Sequence, residues 1–123
     1  MFLLYNKNMS EFKRRFSLEK RKEETLKIMA KYPDKIPVVV EKNPNCKIQQ
    51  IDKSKFLVPK DVTVAQFLYI IRKRIKLLPQ EAMFIFVNNK LPFSNMLMSE
   101  LYNKEKEECG FLFCTYSSEQ TFG

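Results

Sequence analysis

Thr63-Val-Ala-Gln-Phe-Leu-Tyr-Ile-Ile-Arg-Lys-Arg-Ile75 decides how the rest of the chain is arranged. Its first four residues match a capping box, in which Thr63 at the N-cap and Gln66 three positions on each satisfy the other's backbone N–H. Val64, Phe67, Leu68, Ile71 and Ile75 then recur at helical spacing until Pro79 ends the run. One long helix with a single apolar stripe is predicted, and that stripe needs a second layer to bury it.

On the N-terminal side, Ile36-Pro-Val-Val-Val-Glu41 and Lys55-Phe-Leu-Val-Pro59 read as strands, being short, β-branched and apolar. Pro37 and Pro59 argue for strand ends or edges, because proline brings no N–H to a ladder. Residues 43–52 between them form a loop. On the C-terminal side, Ala82-Met-Phe-Ile-Phe-Val87 reads as a strand and Asn88-Asn-Lys90 as a turn, followed by a helix over residues 96–106 and a last strand over 110–116. At the front of the chain, Ser17 caps a charged, one-faced helix that stops before Tyr32-Pro33, and a shorter basic turn precedes it around 11–15. The order α-α-β-β-α-β-α-β predicts an α+β fold: a four-stranded mixed sheet around the long helix, the plan of a ubiquitin-like β-grasp, with two extra N-terminal helices. Residues 1–16 are an N-terminal extension with its short basic helix, 17–116 the domain, and 117–123 a flexible tail. Met9 is a second candidate start, which would leave residues 1–8 an optional extension.

A chain of 123 residues with 45% hydrophobic and 29% charged residues has enough apolar material for one folded domain. Its net charge of +8 is uneven, with 19 basic and 9 acidic residues in 1–82 against 3 and 5 in 83–123. An electropositive face follows, open in principle to acidic peptides, anionic lipid or nucleic acid. The last is disfavoured, since the basic residues sit mostly on helices without an aromatic stacking platform or known motif. Cys46, Cys109 and Cys114 are an odd set with no CxxC spacing, which fits a reducing cytoplasmic setting and buried small side chains. The chain has no histidine. That excludes histidine triads and histidine metal sites, and with no glycine-rich phosphate loop either, no enzyme, metal or cofactor is expected. No stretch is long and apolar enough to span a membrane, so any attachment must be acquired.

The second of only two glycines ends the chain as Gly123, after the polar stretch Ser117-Ser-Glu-Gln-Thr-Phe122. A glycine carboxylate has no Cβ to obstruct a narrow channel or an attacking atom, so the terminus itself is a candidate reactive group. Several strings then point one way together: Tyr32-Pro-Asp-Lys-Ile-Pro37, Val40-Glu-Lys42, Asp52-Lys-Ser-Lys-Phe-Leu-Val-Pro59, Phe67-Leu-Tyr-Ile-Ile-Arg-Lys-Arg-Ile75, Phe86-Val-Asn-Asn89 and Phe122-Gly123. From about Ser17 onward the chain resembles the autophagy ubiquitin-like modifiers, the family of the microtubule-associated light chains and the GABA-receptor-associated proteins, and is more similar to the receptor-associated branch.

The resemblance implies that Gly123 is activated with ATP, passed through thioesters on activating and conjugating enzymes, and joined to the amine of phosphatidylethanolamine, with a deconjugating cysteine protease reversing the bond. It implies cytoplasmic protein attached reversibly to autophagosomal or related membranes, where it recruits cargo receptors. It also implies a docking surface at which a partner segment, aromatic and then aliphatic three positions on, adds to the second strand. The first pocket would be lined by Glu24, Ile28, Pro37, Val39, Lys55, Leu57 and Phe111, and the second by Phe56, Val58, Pro59, Val62, Phe67, Ile70 and Arg74. Lys53, with Lys55 and Arg74, would draw in acidic flanking residues. Lys13, Arg14, Arg15, Lys20, Arg21 and Lys22 keep the basic character that would suit tubulin or membrane. A competing reading retains fold and docking surface but drops conjugation, leaving a trafficking or cytoskeletal adaptor.

Overall fold

The computed structural model describes residues 10–118. Its elements run α1 (Glu11–Arg15), α2 (Leu18–Lys31), β1 (Lys35–Lys42), β2 (Lys55–Pro59), α3 (Val64–Arg74), β3 (Phe84–Phe86), α4 (Met98–Glu105) and β4 (Leu112–Ser117). The capping box at the head of α3 is formed in both directions: Gln66 N–H donates to Thr63 Oγ1 at 3.1 Å and Thr63 N–H donates to Gln66 Oε1 at 2.8 Å. Ser17 caps α2 through the Lys20 N–H at 3.2 Å.

The four strands form one sheet in the order β2-β1-β4-β3, with β1 and β4 parallel and the outer pairs antiparallel. Strand alternation divides β1 between two cores. Ile36, Val38 and Val40 join Phe67 and Ile71 of α3, Met98 and Leu101 of α4, and Leu112, Cys114 and Tyr116 of β4 in the main cluster. Val39 faces the other way, into a smaller cluster with Phe12, Cys109 and Phe111, against which Phe16, Ile28 and Phe113 pack. The N-terminal helices therefore cover the face of the sheet that α3 leaves open. Five consecutive residues of β1, Ile36 to Val40, are buried as a result.

Pro37 sits in a strand with neighbours on both sides, which the edge expectation did not foresee. Register resolves the conflict. The β1–β4 ladder begins only at Val38↔Leu112, so at Pro37 the strand is paired solely with Leu57 of β2 and the missing N–H costs no bond. Pro59 is the last residue of β2, as its missing donor requires.

Other boundaries shift for tertiary reasons. Strand β3 is only Phe84–Phe86, and its hairpin turns at Asn88 and Asn89 with φ of 51° and 63°, the left-handed values asparagine tolerates. Helix α4 begins at Met98, because Met96 carbonyl accepts from the Val64 N–H at 2.9 Å and Leu97 bridges Thr63, drawing out the residues expected to start the helix. Ser117, placed with the tail on sequence grounds, is instead buried in β4. No described helix is long and apolar enough to cross a membrane.

The N-terminal helices are fixed by groups far apart in sequence. Glu41 of β1 accepts from the Ser10 hydroxyl at 2.6 Å and from the Phe12 N–H at 3.0 Å, while Lys13 pairs with Glu107 at 2.6 Å. Phe12 is buried, its ring 5.2 Å from that of Phe111 in edge contact. Buried Thr25 of α2 donates its hydroxyl to the Cys109 carbonyl at 2.6 Å, and Gly110 beside it takes φ of 95° with no room for a Cβ against that threonine.

Candidate functional site

Strand β2 is the margin of the sheet, and among the described residues no strand lies beyond it. Backbone groups on its outer side are consequently available to an added strand. Alternation then assigns its side chains to two surfaces. Lys55 and Leu57 face the N-terminal helices, and Phe56 and Val58 face α3.

On the first surface, Leu57 is opposite Pro37 and Lys55 opposite Val39 across the β1–β2 ladder. Pro37, Val39 and Phe111 are fully buried and form a rigid floor. Leu57, 41% exposed, and half-buried Ile28 of α2 are the apolar groups left accessible above it. Lys55 closes one side by pairing with Glu24 of α2. The seven residues assigned to the first pocket are brought together, but three are floor and two are a self-paired gate.

On the second surface, Phe56 is half-buried, its ring edge-on to Phe67 at 6.5 Å. Two cations bracket that ring, Lys53 Nζ at 4.8 Å and the Arg74 guanidinium at 5.7 Å from its centroid. Val58 and Phe67 are buried in the main core and contribute the floor; Val62, Pro59 and Ile70, the last 44% exposed, supply the accessible apolar rim. The expected set is again assembled, with Val58 and Phe67 closed to direct contact.

Charge at the edge is less free than composition suggests. Arg74 donates twice to Asp52, at 2.8 and 3.2 Å, and this bond holds the Asp52 carboxyl below the usual carboxylate range. Lys55 is engaged with Glu24. Lys53 makes no ion pair among the described residues and rests on Phe56. Sequence reading missed Asp52 as the group that aims Arg74, a pairing of residues 22 apart that no local pattern reveals. It also missed Tyr116, whose hydroxyl donates to the Gln49 carbonyl at 2.7 Å and accepts from the Ile51 N–H at 2.8 Å, fixing the segment that leads into β2.

Gly123 lies outside the described residues, as do the four before it. Strand β4 is separated from β2 by β1 and ends at Ser117, where it pairs with Phe84 of β3.

The chain matches the family described as "Autophagy protein Atg8 ubiquitin like" over residues 20–123. It is 56% identical over 114 residues to Autophagy-related protein 8 of Schizosaccharomyces pombe, covering 93% of this chain and 94% of that protein. It is 51% identical over 115 residues to Autophagy-related protein 8d of Arabidopsis thaliana, covering 94% and 96%. The crystal structure of Trypanosoma brucei ATG8 is similar with a TM-score of 0.87 and 39% identity, over 94% of this chain and 100% of that one. Plasmodium falciparum Atg8, in complex with a Plasmodium falciparum Atg3 peptide, is similar with a TM-score of 0.85 and 37% identity, over 93% and 100%. A mixed four-stranded sheet around a capped central helix, an open β2 margin and these matches together establish that the chain belongs to the Atg8 family of ubiquitin-like autophagy proteins.

Proposed function

We propose that this autophagy protein works as a two-ended adaptor: Gly123 is joined to phosphatidylethanolamine, and the β2 margin captures short partner segments. The open outer side of β2, with apolar groups of the strand divided between the two faces of the sheet, is the observation that carries the docking half. A partner strand adds its backbone hydrogen bonds to β2, and side chains three positions apart enter opposite pockets. The aromatic one enters between Ile28 and Leu57 over the Pro37, Val39 and Phe111 floor. The aliphatic one meets Phe56, Pro59, Val62 and Ile70 above Val58 and Phe67. To seat a bulky ring the Glu24–Lys55 pair must part, which frees Lys55 for an acidic residue of the partner; Lys53 serves the other end, beside an Arg74 held by Asp52. That the similar Plasmodium falciparum Atg8 is in complex with a peptide supports this reading.

For the other half, ATP converts the Gly123 carboxylate to an acyl adenylate with loss of pyrophosphate, and an enzyme thiolate then displaces AMP to form a thioester. The phospholipid amine displaces that thiol to form the amide. All catalytic groups belong to the partner enzymes, and the chain supplies an unhindered acyl end. Two acyl chains suffice for stable anchoring where one is marginal. The protein is thus cytoplasmic until conjugated, then held on autophagosomal or related membranes to gather cargo receptors until a cysteine protease releases it. Arg14, Arg15 and Lys20 stay exposed on the N-terminal helices and form the basic face offered to tubulin, whereas Lys13 and Lys22 are paired with Glu107 and Glu108.

Amide hydrogen exchange tests the docking half. A peptide with the aromatic-x-x-aliphatic pattern and an acidic flank is expected to slow exchange in Lys55–Pro59 and leave β3, at the opposite margin, unchanged. Protection confined to β3 or α4 would overturn the assignment.

A further inference from the structure

The turn between α3 and β3 contains two leucines with opposite fates. Leu77 packs against the main core, whereas Leu78 is 54% exposed. The backbone of Leu78 is nonetheless fixed at both ends: its N–H donates to Glu81 Oε1 at 2.9 Å, and its carbonyl accepts from the Arg72 guanidinium at 3.0 Å. Two exposed lysines flank it. Lys76 is held at φ of 57°, and Lys73 has its ammonium 5.4 Å from the Tyr69 ring. Glu81 is turned toward the Leu78 N–H and Asp52 toward Arg74, so the nearby carboxylates are engaged while the lysines face solvent. An ordered backbone here presents an apolar side chain to water between positive charges.

The position of the turn says what meets it. It delivers the chain to Phe84, the residue paired with Ser117 at the end of β4, and is thus at the end of the molecule from which the C-terminal segment departs. Gly123 is five residues beyond Ser118, within about 18 Å of fully extended chain. A lipid on Gly123 would keep this end close to a bilayer. A stable protein interface needs roughly 800 Å² from each partner, more than one leucine supplies, whereas a bilayer needs no complementary pocket. We propose that Leu78, Lys73 and Lys76 form a seat for an anionic lipid surface, with Leu78 entering the headgroup boundary and the ammonium groups meeting lipid phosphates and carboxylates. The proposal rests on the lipid-anchored reading of Gly123 and adds an orientation: the β2 margin stays accessible while the α3–β3 turn faces the membrane.

The chain has no tryptophan, so Leu78→Trp places a single reporter in the seat. A chemical tether, Gly123→Cys coupled to a maleimide phospholipid in a Cys46→Ser background, holds the full chain on vesicles without any enzyme. On vesicles of phosphatidylcholine and phosphatidylserine, the tryptophan emission is expected to move to shorter wavelength and to be quenched by brominated acyl chains. Leu26→Trp, a position 72% exposed on α2, should show neither change. Replacing Lys73 by Gln and Lys76 by Asn should lower the docked fraction's equilibrium constant roughly 25-fold, about fivefold for each charge. Emission at position 78 that stays solvent-like on tethered vesicles, or quenching indifferent to the two lysines, overturns the proposal and leaves the turn to a protein partner. Failure of the enzymes to modify Gly123 overturns the conjugation reading instead, and the tethered readout distinguishes the two.

Discussion

Replacing Leu57 by alanine separates docking from folding more cleanly than any other change at the β2 margin. Leu57 is 41% exposed in the free protein, so a bound peptide can bury only that remaining part. Fully burying a leucine side chain is worth roughly 1.5–3 kcal/mol, which scales here to about 0.6–1.2 kcal/mol, or roughly three- to sevenfold in affinity. By the same scaling the part already buried in the free protein is worth about 0.9–1.8 kcal/mol of stability, a loss the fold tolerates because β2 keeps its ladder. Phe111→Ala is the contrasting case: its ring is 1% exposed beneath the same pocket, so truncation should cost roughly 3–5 kcal/mol of stability and weaken binding through loss of the floor. Calorimetric titration with the aromatic-x-x-aliphatic peptide, alongside urea unfolding of each variant, measures both quantities. A Leu57→Ala protein that binds as tightly as the original would refute the pocket assignment, and one that binds weakly only because it unfolds would refute the distinction between rim and floor.

Three further outcomes follow from the fold. Gly110→Ala should destabilise the protein by roughly 1–3 kcal/mol in urea, because φ is 95° and the new Cβ would be 2.7 Å from Thr25 Oγ1; an unchanged midpoint would contradict the packing of α2 on this turn. Burial pushes the Cys114 thiol up to about 12, and Cys109 is buried too, so a thiol reagent near pH 8 should modify Cys46 rapidly and the other two only after unfolding. Arg74 lowers the Asp52 carboxyl, favouring its charged form in the folded state, so its small stabilisation is full well above the ordinary value of 3.8 and is lost as pH falls through the lowered one. The stability difference between the original protein and Asp52→Asn should accordingly shrink on acidification below that range, and a difference that grows there would reverse the assignment.

Local patterns carried the central helix, the caps of α2 and α3, and the strand identities, because capping boxes and apolar periodicity act within a few residues. The late start of α4 was not legible, since it depends on backbone pairing of Met96 and Leu97 with Val64 and Thr63 across the fold, and neither was the short extent of β3, whose ladder is set by its partner residues Thr115–Ser117 in β4. The two sets of residues proposed for docking could be named from matched strings, but not which of their members are buried. Pro37, Val39 and Phe111 are sealed only because α1 and α2 fold over the second face of the sheet, held by Glu41, Glu107 and the Cys109 carbonyl. The partners of the basic residues were likewise hidden: Arg74 looked free in sequence and is committed to Asp52.

Intact mass of the protein recovered from membranes after incubation with the activating and conjugating enzymes, ATP and phosphatidylethanolamine tests the central claim most directly. The original chain should gain one phospholipid, less the water lost in forming the amide, and Gly123→Ala should gain far less under the same conditions. An unmodified mass for the original chain, or an adduct mapped to any residue other than Gly123, would contradict the account.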